Sequence, residues 1–478
     1  MVLGTTSGAG KSWLATALCR WYARQGFKVA PFKAQNMSNN ARVVDGGEIG
    51  SAQYFQALAA RTVPEVRMHP LRLKPERDTH SQVVLLGQVS AALTGKPWRG
   101  RSERVWPQIA QSLDALRAEN DIVVIEGAGS PAEINLMASD IVNLRVARHA
   151  DARCLLVTDI DRGGAFAHLY GTWALMPEAD RALLHGFVLN RFRGDASLLS
   201  PAPEQLQALT GVPTVATLPM WWQHGLPEED GVFDDRSTAS GVVTCTIAVI
   251  AYPRISNLDE FQPLKNMPGV RLRWVRSPVD LGDADWIILP GSKHTSGDLA
   301  WMRAQGLDHA VAAHAARGGR VLGICGGLQM LGEALVDPHG IDGNAPGLGL
   351  LPLVTTFAPD KTVQSRHATF TALHGVWAQL SGIGVTGYEI HHGQTAEHAA
   401  MAAAGDRVQI AMPDGLAWQN GAGNVLGLYL HGLFEDPAVL QALFGAGAPT
   451  LDAVFDGLAD FIDLHFSPGT LRALIDRP

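Results

Sequence analysis

The sequence contains little cysteine, little charge and no long apolar run. Its 478 residues include four cysteines, which are Cys19, Cys154, Cys245 and Cys325. None of them forms a CxxC pair or a Cys/His cluster with metal-ligand spacing, so reduced thiols in a reducing compartment are expected. No apolar stretch approaches the roughly 18 to 20 residues of a membrane span, and the N-terminus lacks a signal-peptide pattern. These absences predict a soluble, cytoplasmic protein without a membrane partner.

Charge is scarce, and its balance is acidic. Charged residues make up 18% of the chain, and 38 basic against 46 acidic side chains give a net charge of −8. A nucleic-acid partner is not expected, because phosphate backbones require a basic protein surface. Small anionic substrates are compatible with this balance where cations are concentrated locally. The length predicts two or three domains, and the sequence leaves the oligomeric state open.

Short apolar segments alternate with helical stretches in both halves of the chain. They cover residues 27–33, 122–126, 154–159 and 186–190, and then 246–251, 286–289, 320–324 and 425–430. This alternation predicts parallel strands joined by crossover helices, and hence an α/β fold. Residues 219–243 are acidic and rich in Pro, Gly and Ser, as is typical of a connection. We expect a first domain at 1–235, a linker at 236–243, a second domain at 244–440 and a helical tail at 441–478.

A glycine-rich segment, GTTSGAGKS at residues 4–12, precedes a helical stretch. This junction predicts a triphosphate site, in which the backbone around Thr6, Gly8 and Gly10 binds phosphate oxygens of ATP. Lys11 would neutralise phosphate charge, and Ser12 would ligate Mg²⁺. The spacing is one residue longer than the strict G-x4-G-K-[ST] pattern, and a plain turn before a helix is the alternative. Because the preceding apolar run is so short, either the first strand is short or the chain as given starts late.

Carboxylates at the ends of later strands are candidate ligands. Glu126 follows an apolar segment and enters a glycine-rich loop, where it would share Mg²⁺ with Ser12. A strand that merely ends in a turn is the alternative. The segment DIDRGG at residues 159–164 ends the next strand. It lies at the carboxyl edge of the predicted sheet, where a doubly wound fold binds its ligand. Asp140 is a candidate to engage the substrate or an intermediate, and a helix N-cap is the alternative role.

The most specific segment is GGRVLGICGGLQMLG at residues 318–332. An apolar strand enters a turn at Cys325 and a helix follows, which is the arrangement of a nucleophile elbow. The N–H of Gly326 would bind an oxyanion, and loop amides near Gly291 would complete the oxyanion hole. His431 directly follows the apolar segment 425–430 and is the expected base, with residues His391 and His392 as rivals. A buried core cysteine between glycines is the alternative reading.

Together these segments resemble the cobyric acid synthase family of the cobalamin pathway, over nearly the whole chain. The words that carry the resemblance are KAQNMSNN at 33–40, EIGSAQ at 48–53, EGAGSPAEINL at 126–136, DIDRGG at 159–164, YPRISNLDEFQPL at 252–264 and the cysteine elbow. The phosphate loop is similar to the lengthened loop of dethiobiotin synthetase-like enzymes. The resemblance implies an N-terminal P-loop, parallel-sheet domain of that type and a C-terminal domain like class I glutamine amidotransferases.

The resemblance also implies a reaction. The family amidates the b, d, e and g carboxylates of adenosylcobyrinic acid a,c-diamide, using ATP, Mg²⁺ and glutamine. The carboxylate would be activated as an acyl phosphate, and ammonia would travel by a sheltered route between the domains. Cys325 would be the glutaminase nucleophile and His431 its base, with Glu48 and Lys74 on the substrate side. Cobyrinic acid a,c-diamide synthase is one alternative, and a P-loop switch ATPase with an inactive amidotransferase module is another, of a different class.

Three positions depart from the family patterns. Ordinary amidotransferases of this class read His-x-Glu, whereas this chain has Leu433 at the third position. The imidazole of His431 would then lack an orienting carboxylate unless Glu435 or a backbone carbonyl substitutes. On the substrate side, His69 and Arg72 replace an asparagine and a leucine that family members commonly carry.

Overall fold

A computed structural model of the chain describes residues 1–45, 47–77, 80–96, 98–227 and 242–476. Most of the predicted linker, residues 236–241, lies outside the described residues. The described chain forms two α/β units built on largely parallel sheets, which confirms the predicted fold class. In the ranges that the structure describes, no helix is both long and apolar enough to cross a membrane.

The first domain is built on a parallel sheet with Val2–Gly4 near its centre. This strand is three residues long, pairs with Cys154–Asp159 on one side and, through Val2, bridges Glu126 on the other. Val2 packs into the core on one face of the sheet and Leu3 into the core on the other. Burial on both faces explains why these strands are continuously apolar. The strand order is Val29–Phe32, Ile122–Ile125, Val2–Gly4, Cys154–Asp159, Leu184–Phe192 and Thr214–Pro219.

Helices and a smaller layer complete the first domain. The α-helices are Lys11–Arg24, Ser51–Ala59, Ala91–Thr94, Trp98–Glu119, Leu144–Ala150, Ala165–Leu175, Glu178–Arg181 and Ala202–Thr210. The smaller layer contains the hairpin Ala41–Val44 with Gly47–Gly50, and a mixed sheet of Gln35–Met37, Leu71–Arg77, His80–Leu85 and Gln88–Val89. This layer faces the second domain, since the hairpin contacts the second domain's long strands.

The second domain contains a seven-stranded sheet. Five parallel strands are followed by two strands that each pair antiparallel with the one before, in the order Val270–Val275, Cys245–Ile250, Trp286–Leu289, Arg320–Ile324, Val425–Leu428, Ala417–Gln419 and Gln409–Met412. Its helices are Gln262–Lys265, Pro278–Leu281, Thr295–Ala304, Leu307–Ala316, Gly326–Leu331, Ala399–Ala403 and Pro437–Phe444. The long strands Leu353–Thr369 and Gly384–Glu397 form a hairpin, and the short pair Ile255–Ser256 and Gly291–Ser292 lies beside the Cys325 turn.

The C-terminal segment returns to the first domain. Its helix Leu451–His465 packs on the helix Lys11–Arg24, with Phe455, Leu458 and Ile462 in the same buried cluster as Leu14. Arg20 is buried and forms ion pairs of 2.8 Å with Asp452 and with Asp456. The sequence predicts a helical tail, but not that this tail covers the helix that follows the phosphate loop.

Candidate active sites

The phosphate loop connects Val2–Gly4 to the helix Lys11–Arg24. Gly8 and Gly10 have φ values of 71° and 101°, in the left-handed region that favours glycine. A side chain at Gly10 would also collide with the amide of Asn190, which donates a 2.9 Å hydrogen bond to Ala9 O. The sequence therefore carries glycine where the backbone turns and approaches a neighbouring strand end, as a phosphate-binding loop requires.

Lys11 is folded over this loop. Its Nζ donates to Thr6 O at 2.9 Å and to Gly129 O at 3.2 Å, so it connects the loop to the segment that follows Glu126. The ammonium lies in the cavity wall at the start of a 14-residue helix. A cation and the N-terminus of a helix on one cavity wall are the features that bind the phosphates of a nucleotide.

The carboxylate of Glu126 is the centre of a buried hydrogen-bond network. Its Oε1 accepts from Ser12 Oγ and from Lys33 Nζ, both at 2.7 Å, while the amides of two glutamines donate to Oε2. Burial raises the pKa of Glu126, but the Lys33 ammonium and the hydrogen bonds from Ser12 and Gln56 outweigh it, and the pKa lies below its usual value. Glu126 is therefore an ionised oxygen ligand beside a hydroxyl.

A hydroxyl and a carboxylate are the hard oxygen groups that a magnesium ion prefers beside waters or phosphate oxygens, and the Lys33 ammonium already occupies one side of this carboxylate. Among the described residues, no group of three His, Cys, Asp or Glu side chains could hold a metal. A cation at this site would therefore depend on Ser12, Glu126 and the phosphates of the nucleotide itself, and the two side chains already lie 2.7 Å apart.

Other residues expected at this edge have protein partners. Asp159 pairs with Arg191 at 3.0 Å and with Arg162 at 3.5 Å, and both arginines line the phosphate-loop cavity. Asp140 accepts hydrogen bonds from the backbone N–H groups of residues 142, 143 and 145, at 3.0, 2.9 and 3.2 Å. Asp140 therefore holds the turn before the helix Leu144–Ala150 and binds one N–H of its first turn, although the N-cap of this helix is Asn143. A role of Asp140 toward substrate remains a prediction without a contact to support it.

Cys325 occupies a strained turn between the strand Arg320–Ile324 and the helix Gly326–Leu331. Its φ of 51° is unusual for a residue with a side chain. Glycines on either side permit the turn, since a side chain at Gly327 would collide with Leu289 O on the adjacent strand. Cys325 is only 5% exposed but lines a cavity between the two domains. The turn has the predicted form of a nucleophile elbow.

His431 lies in the same cavity and has a buried carboxylate partner. Its Nδ1 is 3.1 Å from Glu260 Oε1, and Glu260 Oε2 accepts from Gly432 N at 3.2 Å. Burial lowers the pKa of His431, but the Glu260 carboxylate and then the Cys325 side chain raise it more, to about 10. The three side chains form the Cys–His–acid arrangement in which the acid fixes the orientation of the ring.

Glu260 corrects one expectation from the sequence. Glu435, the proposed substitute for the missing acid, forms an ion pair with Arg42 at 2.6 Å, and Glu260 holds the imidazole instead. Sequence reasoning missed Glu260 because it lies 171 residues before His431. The sequence did contain one indication of Glu260. The segment NLDEF at residues 257–261 places two carboxylates beside apolar residues, and buried carboxylates need partners.

The rival histidines also reach the cavity, but they have other partners. His391 Nε2 is 3.0 Å from Glu389 Oε2, and its ring stacks on Tyr429 with 3.8 Å between centroids. His392 Nδ1 is 3.1 Å from Ala358 O. The pKa of His431 is affected by Cys325, whereas the causes that lower the pKa of His392 are burial and nearby cations. Both ring nitrogens of His391 have protein partners, since its Nδ1 is also 2.8 Å from Gly393 O, and these contacts favour His431 as the base.

Gly291 and Gly326 lie where backbone must approach the two reactive side chains. A side-chain carbon at Gly291 would be 3.0 Å from His431 Cε1, and one at Gly326 would be 2.8 Å from Ser292 N. Ser292 is held by its hydroxyl, which donates to Asp298 at 2.6 Å. The loop at 291–292 therefore lies against the Cys325 turn, where the sequence predicts the amides of an oxyanion hole.

The predicted substrate-side residues lie in a buried cluster between the domains. Glu48 pairs with Lys74, with Arg72 at 3.3 Å and with Lys361 of the second domain. Burial raises the pKa of Glu48, but Lys361 and the other cations lower it far more. Arg72 therefore compensates a buried carboxylate. Contact of Glu48 or Lys74 with substrate remains a prediction, although Lys74 lines the Cys325 cavity.

His69 is buried among cations. Burial lowers its pKa well below the usual value, and Arg72 and Lys33 lower it further, so the ring is neutral. Within the described part of the chain, neither ring nitrogen has a hydrogen-bond partner. The ring lies against Gly50, where a side chain would collide with it. The two departures, at 69 and 72, are thus neighbours in one buried layer.

Comparison with known proteins assigns both halves of the chain. Residues 1–227 match the model of the CobQ/CobB/MinD/ParA nucleotide binding domain, and residues 246–439 match that of the CobB/CobQ-like glutamine amidotransferase domain. Fold and sites thus define the class: a nucleotide-binding domain fused to a glutamine amidotransferase domain.

Three relatives are each named cobyric acid synthase. That of Variovorax paradoxus (strain S110) is 82% identical, over 99% of this chain and 98% of the relative. Those of Polaromonas naphthalenivorans (strain CJ2) and Polaromonas sp. (strain JS666 / ATCC BAA-500) are 77% and 74% identical, over 99% and 100% of this chain and 99% and 98% of the relatives. The chain belongs to the cobyric acid synthase family. It is a ligase with a glutamine amidotransferase domain, as the resemblance implied.

Proposed function

We propose that this chain uses ATP and glutamine to amidate the b, d, e and g carboxylates of adenosylcobyrinic acid a,c-diamide, giving adenosylcobyric acid, in the cytoplasm. The observation that carries the proposal is the occurrence, in one chain, of a phosphate loop and a Cys325–His431–Glu260 site whose cavity lies between the two domains. A carboxylate needs activation before ammonia can replace its oxygen, and these two sites supply the two requirements.

The first domain activates the carboxylate. Lys11 and the N–H groups of the loop hold the phosphates of ATP, while Ser12 and Glu126 provide oxygen ligands for Mg²⁺. When bound, the ion neutralises phosphate charge during transfer. The acceptor carboxylate attacks the γ-phosphorus, ADP leaves, and an acyl phosphate results. Segment 219–227 lines the same cavity and carries Trp221 and Trp222, which offer apolar surface to the nucleotide base.

The second domain releases ammonia from glutamine. Cys325 Sγ attacks the side-chain amide carbon, and the N–H groups of Gly326 and of loop 291–292 bind the oxyanion. The imidazolium of His431, held by Glu260, gives its proton to the leaving nitrogen. Ammonia then departs and a thioester remains, which water hydrolyses to glutamate with His431 as the base.

The Cys325 cavity supports delivery of ammonia inside the protein. Its lining includes Asn39, Lys74 and Gln82 of the first domain beside Cys325 and His431. Ammonia released there is already in contact with the first domain, and after it passes to the phosphate-loop cavity it attacks the acyl phosphate to give an amide and inorganic phosphate. A sheltered path matters because free ammonia is protonated in neutral water and then cannot attack.

Segment 35–39 is the proposed acceptor-binding segment. Asn36 lines the phosphate-loop cavity and Asn39 lines the Cys325 cavity, so the segment extends from one site to the other. Within the described residues, Gln35 Oε1, Asn36 Nδ2 and Asn39 Oδ1 are buried without a hydrogen-bond partner, a cost of about 1–3 kcal/mol each that a ligand would relieve. Side-chain amides bind carboxylates and carboxamides alike, which suits an acceptor that changes from one to the other four times.

Mass spectrometry of the products tests the proposal. The protein is incubated with ATP, Mg²⁺, glutamine and the a,c-diamide, and four amides are expected to be added. Two amides added to the fully acidic precursor, with none added to the a,c-diamide, would instead identify an a,c-diamide synthase. ATP hydrolysis without any amide product or glutamine hydrolysis would indicate a switch ATPase.

A further inference from the structure

We propose that the first domain positions the catalytic base of the second: residues 40–42 hold residues 257–260, and thereby keep Glu260 on the ring of His431. These two segments are called the loop clamp below. The inference rests on the proposed glutaminase role of Cys325 and His431. It assigns Asn40 and Arg42 as positioning residues, since they act through Glu260 and do not touch the reacting atoms.

The two segments are connected by a reciprocal pair of hydrogen bonds, in which an asparagine side chain of each accepts from a backbone N–H of the other. Asn40 Oδ1 accepts from Leu258 N at 3.0 Å, and Asn257 Oδ1 accepts from Ala41 N at 2.9 Å. Asn257 has a φ of 56°, which is uncommon for a residue with a side chain. An asparagine from each domain thus holds the other domain's backbone immediately before the residues that reach His431.

Arg42 binds Asp259, the next residue of the segment 257–260. Its Nε donates to Asp259 Oδ2 at 2.9 Å, and Asp259 Oδ1 accepts from Ser51 Oγ at 3.2 Å. The guanidinium is 2% exposed and lies 5.3 Å from the ring of Tyr388, which itself stacks on His431 at 5.3 Å. Arg42 therefore contacts both the residue adjacent to Glu260 and the ring that packs on the imidazole.

Charge explains why an arginine is needed at this position. Three carboxyl groups converge here, the buried Asp259 and Glu260 and the partly exposed Glu435, and Arg42 pairs with the first and the last. Without Arg42 these groups would repel one another, because they would lose the cation that pairs with two of them. Glu260 would then move away from its neighbour, or protons would bind to the cluster. Either change weakens the hold on the imidazole.

Glutamine hydrolysis by Arg42→Met and Arg42→Lys tests this inference, with Arg20→Met as the matched control. Arg20 is also a buried arginine that binds two aspartates across distant parts of the chain, but it lies away from the Cys325 cavity. We expect Arg42→Met to lower kcat for glutamine about 10- to 100-fold with little change in KM, as for a small misplacement of a reacting group. Arg42→Lys should recover part of the loss, and Arg20→Met should keep the wild-type kcat.

Two further readouts separate positioning from general damage. Synthesis with high ammonia should stay within about twofold of wild type in Arg42→Met, because acyl phosphate formation does not use His431. The imidazole signal of His431, assigned by its loss in His431→Gln, should titrate at lower pH in Arg42→Met, because departure of Glu260 lowers the pKa by more than loss of the guanidinium charge raises it. This NMR measurement needs no substrate, so it tests the loop clamp even where corrinoid amidation fails. An unchanged kcat and titration, or an equal loss of ammonia-driven synthesis, would overturn the inference.

Discussion

The two active sites are assembled in different ways. The nucleotide site takes Lys11 and Ser12 from one short motif and Glu126 from the adjacent strand of the same sheet. The Cys325 site takes its proposed nucleophile, base and acid from three separate segments, and the segment with the acid is hydrogen-bonded to the other domain. A site made from one contiguous motif can therefore be recognised in the sequence. A site whose residues come from distant segments cannot, because it depends on how those segments pack.

The largest effect is expected from a substitution in the nucleotide site, whose residues all belong to the first domain. Lys11→Ala should reduce amide synthesis about 10³-fold with glutamine and with ammonia alike, because both need phosphate charge to be stabilised. Glutamine hydrolysis should continue in the same variant. Product formation and glutamate release are measured in parallel, with the exposed Lys28→Ala as control. Loss of glutamate release as well would mean that the nucleotide site is not independent of the Cys325 site.

Removing the acid of the composite site should have the next largest effect. Glu260→Gln is expected to lower kcat for glutamine by roughly 10² to 10⁴, since the ring loses its orienting carboxylate. Glu435→Gln should cost much less, because Glu435 pairs with Arg42. Equal losses in the two variants would contradict the assignment of Glu260 as the third member.

The pH dependence of glutamine hydrolysis also tests the pairing of His431 with Glu260. His431 has a pKa of about 10, raised first by Glu260, so it is protonated below that pH and loses its proton above it. Activity that depends on the imidazolium should therefore fall on the alkaline side as pH passes this value. In Glu260→Gln the pKa falls toward its ordinary value, and the alkaline limb should move to lower pH. An alkaline limb at the same pH in both proteins would contradict the pairing.

A smaller effect is expected from crowding the base. Gly291→Ala places a carbon 2.7 Å from Ser256 Oγ and 3.0 Å from His431 Cε1, so the hydroxyl must move and the ring must shift by a few tenths of an ångström. We expect about a tenfold lower kcat for glutamine, with unchanged ammonia-driven synthesis. Gly421→Ala is the matched control, because its side-chain carbon would meet no atom within 4 Å.

The smallest effect concerns stability alone. Asp452→Asn removes one charge from the pair with Arg20, and Asp452 is 77% exposed. The free energy of unfolding should fall by about 0.5 kcal/mol, since exposed ion pairs contribute little. Urea unfolding measures this change, and both activities should remain at the wild-type level. A loss above about 2 kcal/mol would show that the contact is much stronger than an exposed pair.

Sequence patterns predicted the fold because they are local. The strand at Cys154–Asp159 and the elbow at Cys325 have the predicted bounds, since continuous apolar runs and glycine-flanked turns are set by nearby residues. The candidate base His431 also lies where its strand ends. Glu260 could not be assigned, because its role depends on the packing of a loop far away in sequence. The contact of the C-terminal helix with Lys11–Arg24 was missed for the same reason.

The central claim is that two separate sites in one chain cooperate in one amide synthesis. It is tested most directly by measuring which nitrogen source the Cys325→Ala variant can use. The variant is assayed for corrinoid amides with glutamine and with high ammonia, and its ATP binding is measured in parallel. We predict no product with glutamine and product at near the wild-type rate with ammonia. If ammonia gives no product while ATP still binds, the account of two separable sites is contradicted.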